Sequence, residues 1–420
     1  MASRNFVLIA LVFSAFAMLH SQSGAAAQPA RTVLNIDYNL DSEGPGQAGA
    51  NALDLYIPEI ADGTETNLRP VVVWVHGGGF MVGDKANRMA DKVRLFNGMG
   101  FIVASLNYRL SPDISGSDTS QAFAPGRVRA PDHISDVAEA FGWIDRNIQA
   151  YGGDPDRLIP IGHSAGAHLV SLLSVSPSWV NSRGVSQQQI LGTVMLDTNI
   201  LRVRDEADPN SPGVTPSRRA LIQHTFGTPD EEAADPRWDL VSPLLHADPS
   251  DPPVLLVTQV NVPVRMASNS EMATALGQDP ATSVVGVPYN HEGINTSLGS
   301  AADPSGETTR VSQFMQGLVD DWLPASVRIT RRPAKLVRVG RHTRTGKPRM
   351  RKARFAWSLG GNNAGAQCRI DARPYRSCES PRLVWLRAGK HTFRVRPLYP
   401  SGRPGEERKV SFRIAARRRR

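Results

Sequence analysis

The stretch that decides the fold is Leu158-Ile159-Pro160-Ile161-Gly162-His163-Ser164-Ala165-Gly166. A short apolar run here ends in the pattern G-x-S-x-G, which is typical of a sharp turn from a strand into a helix, with the serine exposed at the turn. Glycine suits such a turn because side chains at those positions would collide with the backbone. The small and apolar residues 165–175 predict a buried helix after the turn. Ser164 is therefore predicted to be a nucleophile.

A second glycine-rich motif, residues 76–80, follows another apolar run at residues 71–75. Such a loop after an early strand supplies backbone N–H groups to an oxyanion hole. We expect the donors to be the N–H groups of Gly78, Gly79 and Ala165. Two unrelated glycine turns would give the same residues, but both motifs end predicted strands and occur in the expected chain order.

With both motifs in place, the chain resembles the α/β-hydrolases of the hormone-sensitive-lipase-like and bacterial esterase kind over about residues 33–323. The matching segments are His76-Gly77-Gly78-Gly79-Phe80, Gly83-Asp84, Asn107-Tyr108-Arg109-Leu110-Ser111-Pro112, Tyr151-Gly152-Gly153-Asp154-Pro155 and Gly162-His163-Ser164-Ala165-Gly166. The resemblance implies a mostly parallel sheet flanked by helices, a small cap and hydrolysis of carboxylic esters. Such an enzyme works through an acyl-enzyme on Ser164, and we expect no cofactor and no metal.

The pattern of apolar runs agrees with an α/β fold. Short buried strands are predicted at 71–75, 101–106, 158–161, 191–196 and 254–258, and they alternate with helical segments. This alternation is typical of parallel sheets built from βαβ units. Between the last two strands lies a polar, irregular stretch, which we expect to form the cap.

Of ten histidines, His291 is the best candidate for the general base. It follows the apolar run 283–287 late in the chain, which matches the order Ser…acid…His of this fold. We predict that His291 accepts the proton of Ser164 and then donates it to the leaving alcohol. His76 and His163 belong to the glycine motifs, and we expect structural roles for them.

The sequence leaves open which acid would orient the imidazole of His291. The family usually has an aspartate in the loop after the strand at 254–258, but here residues 259–265 contain no carboxylate. Asp197 ends the preceding strand, and neighbouring strand ends share one edge of a sheet. Asp197 is the first candidate; Glu271, Asn261 and the absence of any acid remain as alternatives.

The N-terminal segment predicts export. Arg4 precedes an apolar run at residues 6–19, and an A-x-A site follows at residues 25–27. This is the pattern of a secretory signal peptide, since the apolar run is too short for an ordinary membrane span. We therefore expect residues 1–27 to be removed and the mature protein to be secreted, with no membrane span.

Charge is divided sharply along the chain. The formal net charge is +9, yet residues 325–420 contain 28 Lys and Arg against 4 Asp and Glu. Such asymmetry marks a domain boundary. We predict a catalytic domain at 28–324, a basic linker at 325–349, a β domain at 350–416 and a basic tail at 417–420.

The C-terminal segment is rich in β formers and resembles bacterial Ig-like β-sandwich modules over about residues 350–414. The segments that carry the resemblance are Phe355-Ala356-Trp357-Ser358, Gln367-Cys368-Arg369-Ile370-Asp371, Tyr375-Arg376-Ser377-Cys378, Ala388-Gly389-Lys390-His391-Thr392-Phe393 and Val395-Arg396. Export makes a disulfide between Cys368 and Cys378 the expected state of these cysteines. Closing so short a loop contributes on the order of 3 kcal/mol.

The basic C-terminal region allows two interpretations. It is either a spacer with a solvated surface or a device that holds the enzyme on an anionic cell-surface polymer. A specific nucleic-acid site is not expected, because no recognition helix or RNP-like aromatic motif is present.

Several substrate classes remain open for the catalytic domain. We expect a short-acyl or aryl ester, small or polysaccharide-linked, such as an acetyl or feruloyl group. The alternatives are an arylformamidase or other amide hydrolase, a lipase, and a catalytically impaired binding protein.

Overall fold

The computed structural model describes residues 30–39, 49–59, 68–114, 123–339 and 350–416. The predicted signal peptide at 1–27 and the basic tail at 417–420 lie outside the described residues. None of the helices in the described ranges combines the length and the apolar character needed to span a bilayer.

The larger, N-terminal part of the chain forms an eight-stranded sheet with the order β1-β2-β4-β3-β5-β6-β7-β8. The strands β1 and β2 pair antiparallel, β2 and β4 also pair antiparallel, and all further pairs from β4 to β8 are parallel. The strands are β1 (Arg31–Asp37), β2 (Ala52–Ile57), β3 (Arg69–Val75), β4 (Ile102–Leu106), β5 (Gly153–His163), β6 (Thr193–Leu196), β7 (Val254–Gln259) and β8 (Val284–Val287).

Helices cover both faces of this sheet. They are α1 (Met89–Gly98), α2 (Asp132–Asn147), α3 (Ala165–Val175), α4 (Ser178–Asn181), α5 (Arg204–Ala207), α6 (Pro216–Phe226), α7 (Pro229–Ala234), α8 (Pro263–Ala275), α9 (Pro280–Ser283), α10 (His291–Ser297) and α11 (Glu307–Asp320). Short 3₁₀ turns occur at Ile148–Tyr151, Gln187–Gln189 and Pro243–Leu245.

The sequence of β3 shows why the sheet is buried on both sides. Successive residues of a strand point to opposite faces. Val71, Val73 and Val75 accordingly pack into one apolar cluster with α2 and α3, whereas Val72 and Trp74 pack into another with α1 and α11. A strand with two buried faces needs a continuous apolar run, which is the pattern that predicted it.

The predicted fold class is confirmed. All five predicted strands are present as β3 to β7, and the predicted mostly parallel sheet with flanking helices is the one observed. The sheet also contains β1 and β2, which were not predicted, and β8, which coincides with the apolar run 283–287 before His291. The region between β6 and β7 carries α5, α6 and α7 and forms the cap.

The C-terminal region is all-β, with two sheets packed on a common apolar core. A five-stranded sheet has the order β10-β16-β15-β12-β13, and a three-stranded sheet has the order β14-β11-β9. The strands are β9 (Ser326–Arg331), β10 (Leu336–Val339), β11 (Arg351–Gly360), β12 (Ala366–Ile370), β13 (Arg376–Ser377), β14 (Arg382–Leu386), β15 (Gly389–Pro397) and β16 (Arg408–Ala416). Pairs are antiparallel except that β10 runs parallel to β16. A disulfide joins Cys368 to Cys378.

The segment predicted to be a basic linker differs in the structure. Residues 326–331 form β9, which pairs with β11, and residues 336–339 form β10, which pairs with β16. The reason is that Val327 and Ile329 alternate with polar residues and contribute to the core of the all-β region. That region therefore begins at Ser326 and not at residue 350.

The two regions are joined by a polar junction at the start of β5. Asp156 is fully buried, and its carboxylate accepts hydrogen bonds from the Ser401 hydroxyl (3.0 Å) and from Arg403 Nη2 (3.0 Å). Arg403 also donates to the buried Asp154 at 3.0 Å. Beside them the rings of Trp322 and Tyr399 stack at 6.0 Å. The junction lies at the opposite end of β5 from Ser164.

Candidate active site

Ser164 lies at the turn between β5 and α3. Its backbone has φ 56° and ψ −115°, a conformation that non-glycine residues seldom adopt. Close backbone contacts leave no room for a side chain at the two flanking glycines, Gly162 and Gly166. A Cβ on Gly162 would lie 2.3 Å from the backbone of Gly166, and a Cβ on Gly166 would lie 2.1 Å from the carbonyl oxygen of Val75. The sequence therefore folds into the strained turn that places the serine at the carboxyl edge of the sheet.

His291 is the first residue of α10, directly after the turn that follows β8. Its Nε2 lies 2.8 Å from Ser164 Oγ, and its Nδ1 lies 2.6 Å from Asp197 Oδ2. The side chain of Asn290 caps this helix by accepting the Gly293 N–H at 2.7 Å. The imidazole thus bridges a hydroxyl and a carboxylate that come from the ends of two different strands.

Asp197 follows β6 and adopts a positive φ of 55°, with only 1 % of its surface exposed. Its carboxylate accepts hydrogen bonds from Thr258 Oγ1 at 2.8 Å and Gln259 Nε2 at 2.7 Å, and Arg265 Nη1 lies 3.3 Å away. Burial alone would raise the pKa of Asp197, but the hydrogen bond with His291 and the charge of Arg265 outweigh it and lower the pKa to about 2. Asp197 is therefore ionised at neutral pH.

The other candidates for the acid lie elsewhere. Glu271 is exposed on α8 and forms an ion pair with Arg202 at 3.0 Å. Asn261 is exposed in the turn between β7 and α8. In the described part of the chain, no hydrogen bond joins either side chain to His291. Only Asp197 of the three candidates contacts the imidazole.

Sequence reasoning missed the groups that hold Asp197. Thr258 and Gln259 lie at the end of β7, where the family resemblance had placed the aspartate itself. Residues 259–265 contain no carboxylate. That absence could have indicated that the polar side chains at the end of β7 bind an acid from the end of the neighbouring strand.

His163 has a structural role that involves the base. Its Nε2 lies 2.9 Å from the backbone carbonyl oxygen of His291, and the two rings are 4.7 Å apart. Burial and the nearby His291 lower the pKa of His163 to about 4. His163 is therefore neutral at neutral pH, and since a carbonyl only accepts, the hydrogen is on Nε2.

The glycine-rich loop lies beside Ser164. Gly78 and Gly79 have positive φ values of 112° and 62°, and both line the cleft that contains Ser164. The carbonyl of Gly78 accepts from the N–H groups of Met81 and Val82, which closes a tight turn. Within the described residues, no backbone carbonyl accepts from the N–H groups of Gly78 or Gly79. Ala165 begins α3, where the first N–H groups of a helix lack intrahelical acceptors.

The cleft around Ser164 has a volume of about 790 Å³ and a polar wall. Its charged and amide side chains are Asp84, Asn87, Arg88, Arg218, Glu292 and Asn295. Arg88 and Glu292 form an ion pair at 2.8 Å with both side chains about half exposed. The cap contributes Arg218 and Leu221 from α6. No group of three or more metal-ligating side chains occurs among the residues that the structure describes.

Comparison with known proteins agrees with this geometry. Residues 51–200 match the carboxylesterase family. The chain is 36% identical over 138 residues to bile salt-activated lipase of Mus musculus, covering 31% of this chain and 22% of that protein. It is 33% identical over 139 residues to para-nitrobenzyl esterase of Bacillus subtilis, covering 33% of this chain and 27% of that protein. The chain thus spans less than a third of the length of these curated relatives.

Solved structures support the fold. A truncated carbohydrate esterase from gut microbiota aligns with a TM-score of 0.50 at 17% identity, covering 71% of this chain and 100% of that chain. Esterase B from Lactobacillus rhamnosis aligns with a TM-score of 0.50 at 18% identity, covering 70% and 87%. The chain therefore has the α/β-hydrolase fold, and the segment that carries its glycine loop and Ser164 matches the carboxylesterase family.

Proposed function

We propose that this protein hydrolyses carboxylic esters through an acyl-enzyme on Ser164. The observation that carries the proposal is the unbroken contact chain from Ser164 Oγ through His291 to the buried Asp197. His291 accepts the serine proton as the ester carbonyl is attacked, and then donates it to the leaving alcohol. Ionised Asp197 orients the imidazole and stabilises its charged form. Water deacylates the enzyme by the same route.

The developing oxyanion is proposed to bind the N–H groups of Gly78, Gly79 and Ala165. Two observations support this assignment: both glycines line the Ser164 cleft, and Ala165 lies in the first turn of α3. Preorganised N–H donors of this kind are worth about 2.7–4 kcal/mol each in the transition state. Glycine at positions 78 and 79 keeps side chains out of the substrate's way.

The substrate is proposed to be a short-acyl or aryl ester of a polar alcohol, including acetyl or feruloyl groups linked to a polysaccharide. The wall of the cleft supports a polar alcohol, because its charged and amide groups would lose hydration against a long alkyl chain. The half-exposed pair Arg88–Glu292 offers both donors and acceptors to hydroxyl groups.

The finer assignments belong to the same proposal. We retain the hormone-sensitive-lipase-like resemblance, export directed by residues 1–27, and the Ig-like character of the C-terminal region. Two cysteines joined in a disulfide are consistent with an oxidising compartment. The basic C-terminal region is proposed to hold the enzyme on an anionic polymer at the cell surface.

The test is hydrolysis of p-nitrophenyl acetate, butyrate and palmitate by the purified protein beside Ser164→Ala. We expect turnover of the short esters, little turnover of the palmitate, and loss of activity in the variant. An N-formyl aryl amine serves as the amide substrate. Faster hydrolysis of that amide, or wild-type protein that is folded but inactive on every ester, would contradict the proposal.

A further inference from the structure

One surface of the all-β region has a charge arrangement that the fold itself does not explain. The inward residues of β12, β15 and β16 are apolar and include Phe393, Val395 and Phe412. The outward residues are largely cationic. The basic face consists of Arg369, Lys390, Arg394, Arg396, Lys409 and Arg413.

The strand register places these cations directly opposite one another. Arg369 pairs with Arg394 across β12 and β15, and Arg394 pairs with Lys409 across β15 and β16. Lys390 pairs with Arg413 farther along. Like charges directly opposite on neighbouring strands destabilise a sheet. The arrangement therefore costs stability in the free protein, and a bound polyanion would remove that cost.

The basic face keeps most of its charge uncompensated. Arg394 Nη1 contacts Glu407 at 2.6 Å, and Arg369 lies 3.9 Å from the same residue. In the described residues, no carboxylate lies within ion-pair distance of Lys390, Lys409 or Arg413. With strands about 4.8 Å apart and residues about 3.4 Å apart, the basic face measures about 10 by 20 Å. That size fits several units of an extended polymer.

Two arginines of the basic face are held in position by other side chains before any ligand binds. The guanidinium carbons of Arg369 and Arg396 lie 4.5 and 4.0 Å from the ring centre of Tyr375. The hydroxyl of Tyr375 bonds to Glu407. Guanidinium groups held on an aromatic ring lose less entropy when they bind an anion. Arg396 also donates from Nε and Nη2 to Gln367 Oε1 at 3.2 and 2.8 Å, which fixes this guanidinium in the face, and guanidinium groups pair favourably with carboxylates.

We propose that the basic face binds an acidic polysaccharide whose charges are carboxylates. Base stacking by a nucleic acid is disfavoured, because Tyr375 already contacts two guanidinium groups. A membrane is disfavoured, because β12, β15 and β16 expose no large hydrophobic side chain in the described residues. This inference deepens the anchoring part of the proposed function but does not depend on ester hydrolysis.

The test uses binding of the full chain to polygalacturonate, with neutral dextran as the control polymer. The face variant Lys390→Gln/Lys409→Gln/Arg413→Gln keeps the Arg394–Glu407 pair intact. The matched control, Arg328→Gln/Lys352→Gln/Arg354→Gln, removes the same charge from exposed residues of β9 and β11. With three of its cations removed, the face variant should bind on the order of 100-fold more weakly, while the control retains most of the affinity.

Two further measurements distinguish binding at the basic face from a general effect of net charge or of misfolding. Binding should weaken steeply as salt rises, and the face variant should melt no lower than wild type because repulsion is relieved. Hydrolysis of p-nitrophenyl acetate should be unchanged in both variants. No binding to polygalacturonate, equal loss in both variants, or tighter binding to duplex DNA or phosphatidylserine vesicles would overturn the inference.

Discussion

The carboxylate of Asp197 lies 2.6 Å from Nδ1 of His291, although Asp197 follows β6 and the sequence resemblance had placed the acid after β7. The end of β7 instead supplies the donors Thr258 and Gln259 to that carboxylate. In this chain β6 therefore carries the acid and β7 carries its hydrogen-bond donors, while the acid still contacts the imidazole. Parallel neighbours make this possible, since both strands end at the same edge of the sheet.

Asp197→Asn should lower kcat by about three to four orders of magnitude. The amide keeps the volume but cannot stabilise the imidazolium, and it favours the wrong tautomer of His291. Kinetics with p-nitrophenyl acetate and a thermal melt of the same sample check this prediction. The melting temperature should change far less than kcat.

The matched controls are Glu271→Gln and Asn261→Ala, which alter the other candidates for the acid. Both side chains are exposed, and in the described residues neither has a hydrogen bond to the imidazole, so kcat should stay within about twofold. A loss of less than about tenfold in Asp197→Asn, worth only about 1.4 kcal/mol, would exclude it as the orienting acid.

His163→Phe should lower kcat about fivefold with little change in KM. Phenylalanine fills the ring volume but removes the hydrogen bond to the His291 carbonyl, whose oxygen lies 2.9 Å from Nε2. One such bond is worth about 1 kcal/mol, and its loss lets the imidazole leave its reactive position. His163→Gln retains an N–H donor and should recover part of the rate. Wild-type kinetics in His163→Phe would show that the contact has no positioning role.

The contribution of Glu307 to the stability of the catalytic region should fall as pH rises from about 5 to about 8. This carboxyl is fully buried on α11, and burial raises its pKa from the ordinary 4.5 to about 8. The folded state therefore favours the protonated form. The stabilisation that protonated Glu307 gives to the folded state is complete below about pH 4.5 and is lost as pH rises through about 8.

Glu307→Gln tests this effect, since an amide resembles the neutral acid and does not ionise. Urea unfolding at pH 5, 6.5 and 8 should show that the free energy of unfolding of the variant increases relative to that of wild type as pH rises. Buried Lys92 also interacts with Glu307, but its pKa is lowered from 10.5 to about 8, so its own contribution changes above pH 8. Parallel stability curves for the two proteins would contradict the prediction.

How much the sequence could predict depends on how local each feature is. The strand, turn and helix around Ser164 are encoded by adjacent residues, and the apolar runs predicted β3 to β7. The partners of Asp197 depended on which strands lie side by side, and no local pattern contains that information. Strand β9 was not predicted, because only Val327 and Ile329 of this strand face the core and the surrounding segment 325–349 is rich in arginine and lysine.

Arg403→Ala should destabilise the protein by about 3 kcal/mol without affecting the chemistry at Ser164. The guanidinium bonds to the buried carboxylates of Asp154 and Asp156, each at 3.0 Å, and removing it leaves buried charge without its partner. Asp154 keeps its ion pair with Arg157 at 3.0 Å, so the loss of an ion-pair partner affects Asp156 more than Asp154. The expected result is a lower urea midpoint, with an unchanged kcat where the protein is still folded.

The double variant Asp156→Asn/Arg403→Ala decides whether buried charge is the cause. If it is, the amide at position 156 should recover part of the lost stability, because an uncharged group is less costly to bury. Arg387→Ala, which removes an exposed arginine of the same region, should have little effect. An unchanged midpoint in Arg403→Ala would mean that the two regions are joined by the apolar stacking of Trp322 on Tyr399 and not by the ion pairs.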